Sequence, residues 1–209
     1  RQATDDPNDP WSWLWFFSLD EQINAGFFCG GFGCCVAAGA MESIMDHVHS
    51  ERIKKADHLF HAGRLQEARE ICLSVLESYP EHSGGLSLLA GIAYEEGMLD
   101  SALALYERAV RVSPDNGFQP YNMGVITREL GRLEESVSYY KKAVSMMPDH
   151  VESWFNLGDV LQTLGRIGEA INCYEKAVGV RPDYGKAWNS MGILHSRMNR
   201  LEYALNCFN

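Results

Sequence analysis

The chain has 209 residues, of which 46% are hydrophobic, and its 18 Lys and Arg stand against 28 Asp and Glu for a formal net charge of -10. It is long enough to bury a sizeable core. It has no basic stripe to neutralise phosphates, which argues against nucleic-acid binding.

The first 48 residues carry one basic and seven acidic side chains and follow no repeat. Arg1–Pro10 is polar, acidic and proline-containing, and is expected to be an extended lead-in. Trp11, Trp13, Trp15, Phe16 and Phe17 then form an aromatic stretch. From Ala25 to Met41 there are 17 residues without a charge, including Phe27, Phe28 and Phe32. With Ile23 and Asn24 the apolar segment is 23–41, at the short end for a membrane-spanning helix. Upstream tryptophans suit an interfacial aromatic belt, and Gly26 and Gly30 have the small-xxx-small spacing of packed membrane helices. Together these features predict an N-terminal apolar helix that spans or embeds in a membrane, with lipid contact through 11–41. The alternative is a helix buried against the first repeat or a partner subunit. Arg52, Lys54 and Lys55 follow the run, so the positive-inside tendency places the remainder in the cytosol, matrix or stroma. A start at Arg1 instead of Met is expected where a leading segment has been removed, as in mitochondrial or plastid proteins.

From His49 onward the chain is periodic. Pro80, Pro114, Pro148 and Pro182 are 34 residues apart, as are Gly63, Gly97, Gly131 and Gly165, with Asn199 in the fifth place. Ala68, Ala102, Ser136, Ala170 and Ala204 keep the interval, and so do Cys72, Tyr106, Tyr140, Tyr174 and Phe208. Ala90, Gly124, Gly158 and Gly192 recur upstream, and Trp154 and Trp188 are a matched pair. The period predicts stacked two-helix units. Small residues let the paired helices approach, and the ring fills the space beside them. Glycine ends the first helix in a left-handed conformation, for which Asn199 is the best substitute, and proline stops the second. The boundaries are 49–82, 83–116, 117–150, 151–184 and a partial 185–209.

This pattern resembles the tetratricopeptide repeat family, and the fourth unit carries most of its landmarks in Trp154, Leu157, Gly158, Gly165, Ala170, Tyr174, Ala177 and Pro182. The resemblance covers 49–209. The first unit departs, with Arg52, Lys55 and Ala56 at the Trp, Leu and Gly places. The resemblance implies an all-α, right-handed α-solenoid of about five helix-turn-helix units. It also implies a concave groove lined by the second, fifth, sixth, ninth, twelfth and thirteenth places of each first helix. Carried onto this chain, those places include Phe118, Tyr121, Asn122, Arg128, Phe155, Asn156, Asp159, Gln162, Asn189 and Arg197. Asparagines beside aromatics suit an extended peptide backbone; the alternative is that Tyr121 and Phe155 pack between neighbouring helices. The Lys/Asn/Arg clamp by which some members hold a chaperone tail is absent, because the ninth places are Asp57, Gly91, Val125, Asp159 and Ile193.

Catalytic chemistry finds no foothold. Gly30-Gly31-Phe32-Gly33 lacks the Lys-Ser/Thr of a phosphate loop. His58 and His61 share a helix face, but they are expected to be solvated or capping and not metal ligands. Cys29, Cys34 and Cys35 include no C-x2-C pair, and Cys72, Cys173 and Cys207 read as buried small residues in a reducing compartment. No cofactor, metal, small-molecule substrate or catalytic residue is expected. The expected function is a non-enzymatic scaffold for other protein subunits, docked to a membrane assembly such as a respiratory or photosynthetic complex. Alternatives are a soluble, cytoplasmic adaptor, and the substrate-binding arm of a longer enzyme.

Overall fold

The computed structural model describes residues 34–208, and side chains from His47 to Cys207. The chain divides into two compact units, Arg1–Asp46 and His47–Asn209. The aromatic stretch with Trp11, Trp13, Trp15, Phe16 and Phe17, and the ring residues Phe27, Phe28 and Phe32, lie outside the described residues. Every described element is a helix. They are α1 (Cys34–His61), α2 (Leu65–Ser78), α3 (Ser83–Glu95), α4 (Leu99–Val112) and α5 (Phe118–Glu129). There follow α6 (Leu133–Met146), α7 (Val151–Thr163), α8 (Ile167–Val180), α9 (Gly185–Arg197) and α10 (Leu201–Phe208).

Of the apolar segment 23–41, residues 34–41 open α1, which continues through Glu42, Asp46 and Glu51 to His61. Among the described residues no helix is long and apolar enough to cross a membrane.

Each first helix ends in the same way. Gly63, Gly97, Gly131 and Gly165 have φ of 74 to 76°, and Asn199 has φ 57°. At Gly97 its N–H donates to the Tyr94 carbonyl at 2.8 Å, and the Met98 N–H donates to the Ala93 carbonyl at 2.8 Å. This pair of backward bonds satisfies carbonyls the helix leaves open, and requires the left-handed residue between them. Equivalent pairs occur at the other four turns. The next residue is the N-cap of the second helix, and Arg64, Arg132 and Arg166 each fork onto a glutamate three residues on, Glu67, Glu135 and Glu169.

Within a pair, a small residue on the first helix sits against a ring on the second. A Cβ added to Gly124 would lie 2.8 Å from the Tyr140 ring, and one added to Gly158 would lie 2.6 Å from the Tyr174 ring. Ser136, at the place that is alanine in the other units, is buried and donates to the Gly124 carbonyl at 2.7 Å, so the hydroxyl is satisfied at the same close approach. Successive pairs are tied by the matched tryptophans. Trp154 Nε1 donates to the Pro148 carbonyl and Trp188 Nε1 to the Pro182 carbonyl, both at 2.8 Å. At the same place in the first unit, Arg52 reaches the Ser74 hydroxyl. The largest apolar cluster runs through α6, α7, α8 and α9, with Tyr140, Leu157, Val160, Tyr174, Met191 and Leu194 all buried. Lys55, at the place where Leu157 is buried, is exposed.

Candidate binding groove

The first helices present their groove places along one face, but that face is not evenly open. A cleft of about 660 Å³ lies between α1 and α3. On the α3 side it is lined by Gly84, Ser87, Leu88, Gly91, Tyr94 and Glu95, which are all six groove places of the second unit. On the α1 side it is lined by Ile53, Lys54, Asp57, Phe60 and His61, five of the six places of the first, together with His58. Tyr106 and Asn122 complete it. Of the ten groove residues expected from the sequence, Asn122 alone lines this cleft.

The reason is side-chain volume. The second unit has Gly84, Ser87 and Gly91 where the third has Phe118, Tyr121 and Val125. A Cβ at Gly91 would meet only ordinary contacts, 3.7 Å from Phe60 and 3.8 Å from the Tyr106 hydroxyl. Further along, aromatic rings fill the equivalent space. Tyr121 is half-buried, with its ring centroid 6.0 Å from Tyr140 and 5.0 Å edge-on to His150. Phe155, also half-buried, lies 5.7 Å from Tyr174 and 5.5 Å from Tyr184. Both rings therefore pack between helices. Phe118 is 56% exposed, edge-on to His150. Asn189 and Arg197 are exposed on α9, and Arg128 is half-buried.

The two asparagines are each hydrogen-bonded within the chain. Asn122 Nδ2 donates to the Tyr106 hydroxyl at 3.0 Å and Asn156 Nδ2 to the Tyr121 hydroxyl at 3.2 Å. Each thus spends one of its two amide N–H groups on a phenol of the chain. Tyr174 donates its hydroxyl to Asp159 Oδ1 at 2.7 Å and lies 3.0 Å from Gln162 Oε1, so these two expected groove residues also face inward partners. Burial raises the Asp159 carboxyl above its usual range against the opposing pull of the Tyr174 hydroxyl and Arg128. Burial likewise pushes the Tyr106 phenol up to about 12. The Cys72 and Cys173 thiols rise to about 11 for the same reason, which keeps them protonated and unreactive at neutral pH. Among the described residues no group of three or more His, Cys, Asp or Glu is placed to hold a metal ion.

Around the cleft the charges are few. Lys54 Nζ is 2.8 Å from Glu51 Oε1. His61 Nε2 is 3.6 Å from Asp57 Oδ1. The Tyr94 hydroxyl donates to Glu129 Oε1 at 2.5 Å. Glu95 is exposed. None of the groove residues expected from the sequence belongs to the first two units. The available signal was three small residues at groove places of a single helix, Gly84, Ser87 and Gly91.

Two family models described as tetratricopeptide repeat match the chain, one over residues 118–183 and one over 59–119. Together they run from 59 to 183, more than half of the sequence. No curated protein matches it. Among solved structures, MamA is similar at 19% identity and a TM-score of 0.68, covering 73% of this chain and 90% of that one. Pseudomonas aeruginosa PilF is similar at 19% identity and 0.72, covering 78% and 75%. YrrB, described as a TPR protein with an unusual peptide-binding site, is similar at 21% identity and 0.64, covering 75% and 80%. These likenesses concern the fold.

Proposed function

The chain belongs to the tetratricopeptide repeat family, and from that premise we propose that it is a non-enzymatic scaffold that holds a segment of a partner protein in the cleft between α1 and α3. One observation carries this reading: all six groove places of the second unit and five of the first line a single open cleft, while in the third and fourth units the Tyr121 and Phe155 rings pack into the equivalent space. The cleft mixes apolar walls, Phe60, Leu88 and Tyr94, with a few polar groups, the usual make-up of a recognition site. That YrrB is described as peptide-binding supports the same class of ligand.

The test is a random peptide library displayed on phage and panned on the protein. Selected peptides should bind the Gly91→Leu variant about tenfold or more weakly, because the new side chain occupies the floor of the cleft. Gly91→Ala should retain most of the binding. Peptides that bind Gly91→Leu as well as the parent would place the site elsewhere.

A second reading concerns placement. The uncharged run 25–41 and the aromatic stretch before it support anchoring in, or docking to, a membrane complex, for which an organellar assembly is the proposed setting. In carbonate extraction, retention of the protein on membranes should be lost when Trp11–Met41 is deleted. Release of both forms would reject an embedded anchor.

A further inference from the structure

The cleft has a chemical bias that the groove geometry alone does not require. Its two walls each carry an exposed carboxylate, Asp57 from α1 and Glu95 from α3. At its edge Glu129 accepts the Tyr94 hydroxyl. Lys54 supplies the single Lys or Arg among the lining residues, and its charge is already met by Glu51 at 2.8 Å. His61, 3.6 Å from Asp57, offsets that carboxylate fully only when protonated. Gly91 leaves room in the same cleft, where a Cβ would lie 3.7 Å from Phe60, and Leu88 also lines it, so the site offers apolar surface beside its carboxylates.

We propose that this cleft selects an extended peptide segment in which a lysine or arginine neighbours a bulky apolar residue. The apolar side chain enters beside Gly91 between Phe60 and Leu88, and the cation lies between Asp57 and Glu95. The inference rests on the groove reading above and adds the ligand's chemistry to it. With Lys54 met by Glu51, Asp57 and Glu95 leave the cleft an excess of negative charge, which attracts a cation, so electrostatics steers the choice while apolar burial holds the segment.

The same phage library provides the probe. Peptides enriched on the parent protein should carry Lys or Arg beside Leu, Met or Phe. In fluorescence anisotropy, replacing that basic residue by Gln should weaken binding about fivefold to tenfold at low salt, with the difference shrinking as salt is raised. The double variant Asp57→Asn, Glu95→Gln should show the same loss with the parent peptide and no further loss with the Gln peptide. Both positions are exposed, so the substitutions are expected to leave the fold intact. Peptides that lose binding on Gly91→Leu but show no basic preference would overturn this inference and leave the groove reading intact. If Gly91→Leu weakens no enriched peptide, or none is enriched, the groove reading falls and this inference with it.

Discussion

Glycine does two opposite things on the first helices of this chain. At Gly158 the Tyr174 ring lies where a Cβ would stand, at 2.6 Å, and at Gly124 the Tyr140 ring does the same at 2.8 Å. Neither ring is free to retreat, since both tyrosines are fully buried. Gly158→Ala is therefore an overpacking substitution, expected to cost about 1–3 kcal/mol. Gly91 has no such neighbour, its nearest Cβ contact being 3.7 Å. Gly91→Ala should stabilise by about 0.5–1 kcal/mol, because glycine in a helix interior forgoes that much to backbone freedom. Urea titration of the two variants beside the parent checks the pair, and equal shifts would show that the close approach is not selective. Both glycines are helical residues in the sequence; what separates them is the ring each one meets on the neighbouring helix.

The repeating element is a helix pair closed by a left-handed residue. Four of the five turns use glycine at φ 74 to 76°, and the fifth uses Asn199 at φ 57°. The two backward hydrogen bonds at each turn fix that conformation, so a side chain cannot escape it by relaxing the backbone. Gly165→Ala should lower stability by about 1–2 kcal/mol, the cost of placing a Cβ in the left-handed region. Asn199→Gly should be neutral or slightly stabilising. Thermal melting of the two variants tests this, and a harmless Gly165→Ala would mean that the turn can rearrange. The element was legible in the sequence because glycine, proline and the small-and-ring pairing recur at one interval. The pairing of Trp154 with the Pro148 carbonyl was legible only as a Pro-to-Trp spacing repeated at Pro182 and Trp188, since a hydrogen bond leaves no periodic trace of its own.

The repeat array is a stack in which each pair packs on its neighbours, and its stability is distributed unevenly. The largest cluster binds α6 through α9. At the far end, Leu201, Tyr203 and Leu205 on α10 are 59 to 62% exposed, whereas Leu103, Val137 and Ile171, at the places equivalent to Leu205, are buried. Among the described helices, hydrogen exchange should accordingly be slower at amides of α7 and α8 than at those of α10, where few apolar contacts resist local opening. Uniform protection along the stack would contradict that distribution. By itself the sequence determined the helical class, the 34-residue unit, the left-handed turns and the small-to-ring contacts. These follow from backbone conformation and close packing, which act between residues at fixed separations and so repeat with the chain. Only the tertiary structure decided where the groove is open. That depends on which side chains from different helices meet: the Tyr121 ring against Tyr140 and His150, the Asn122 amide on the Tyr106 hydroxyl, and the room left at Gly91 beside Phe60. Such meetings are set by volumes and directions summed across neighbouring units, and a list of groove places does not contain them.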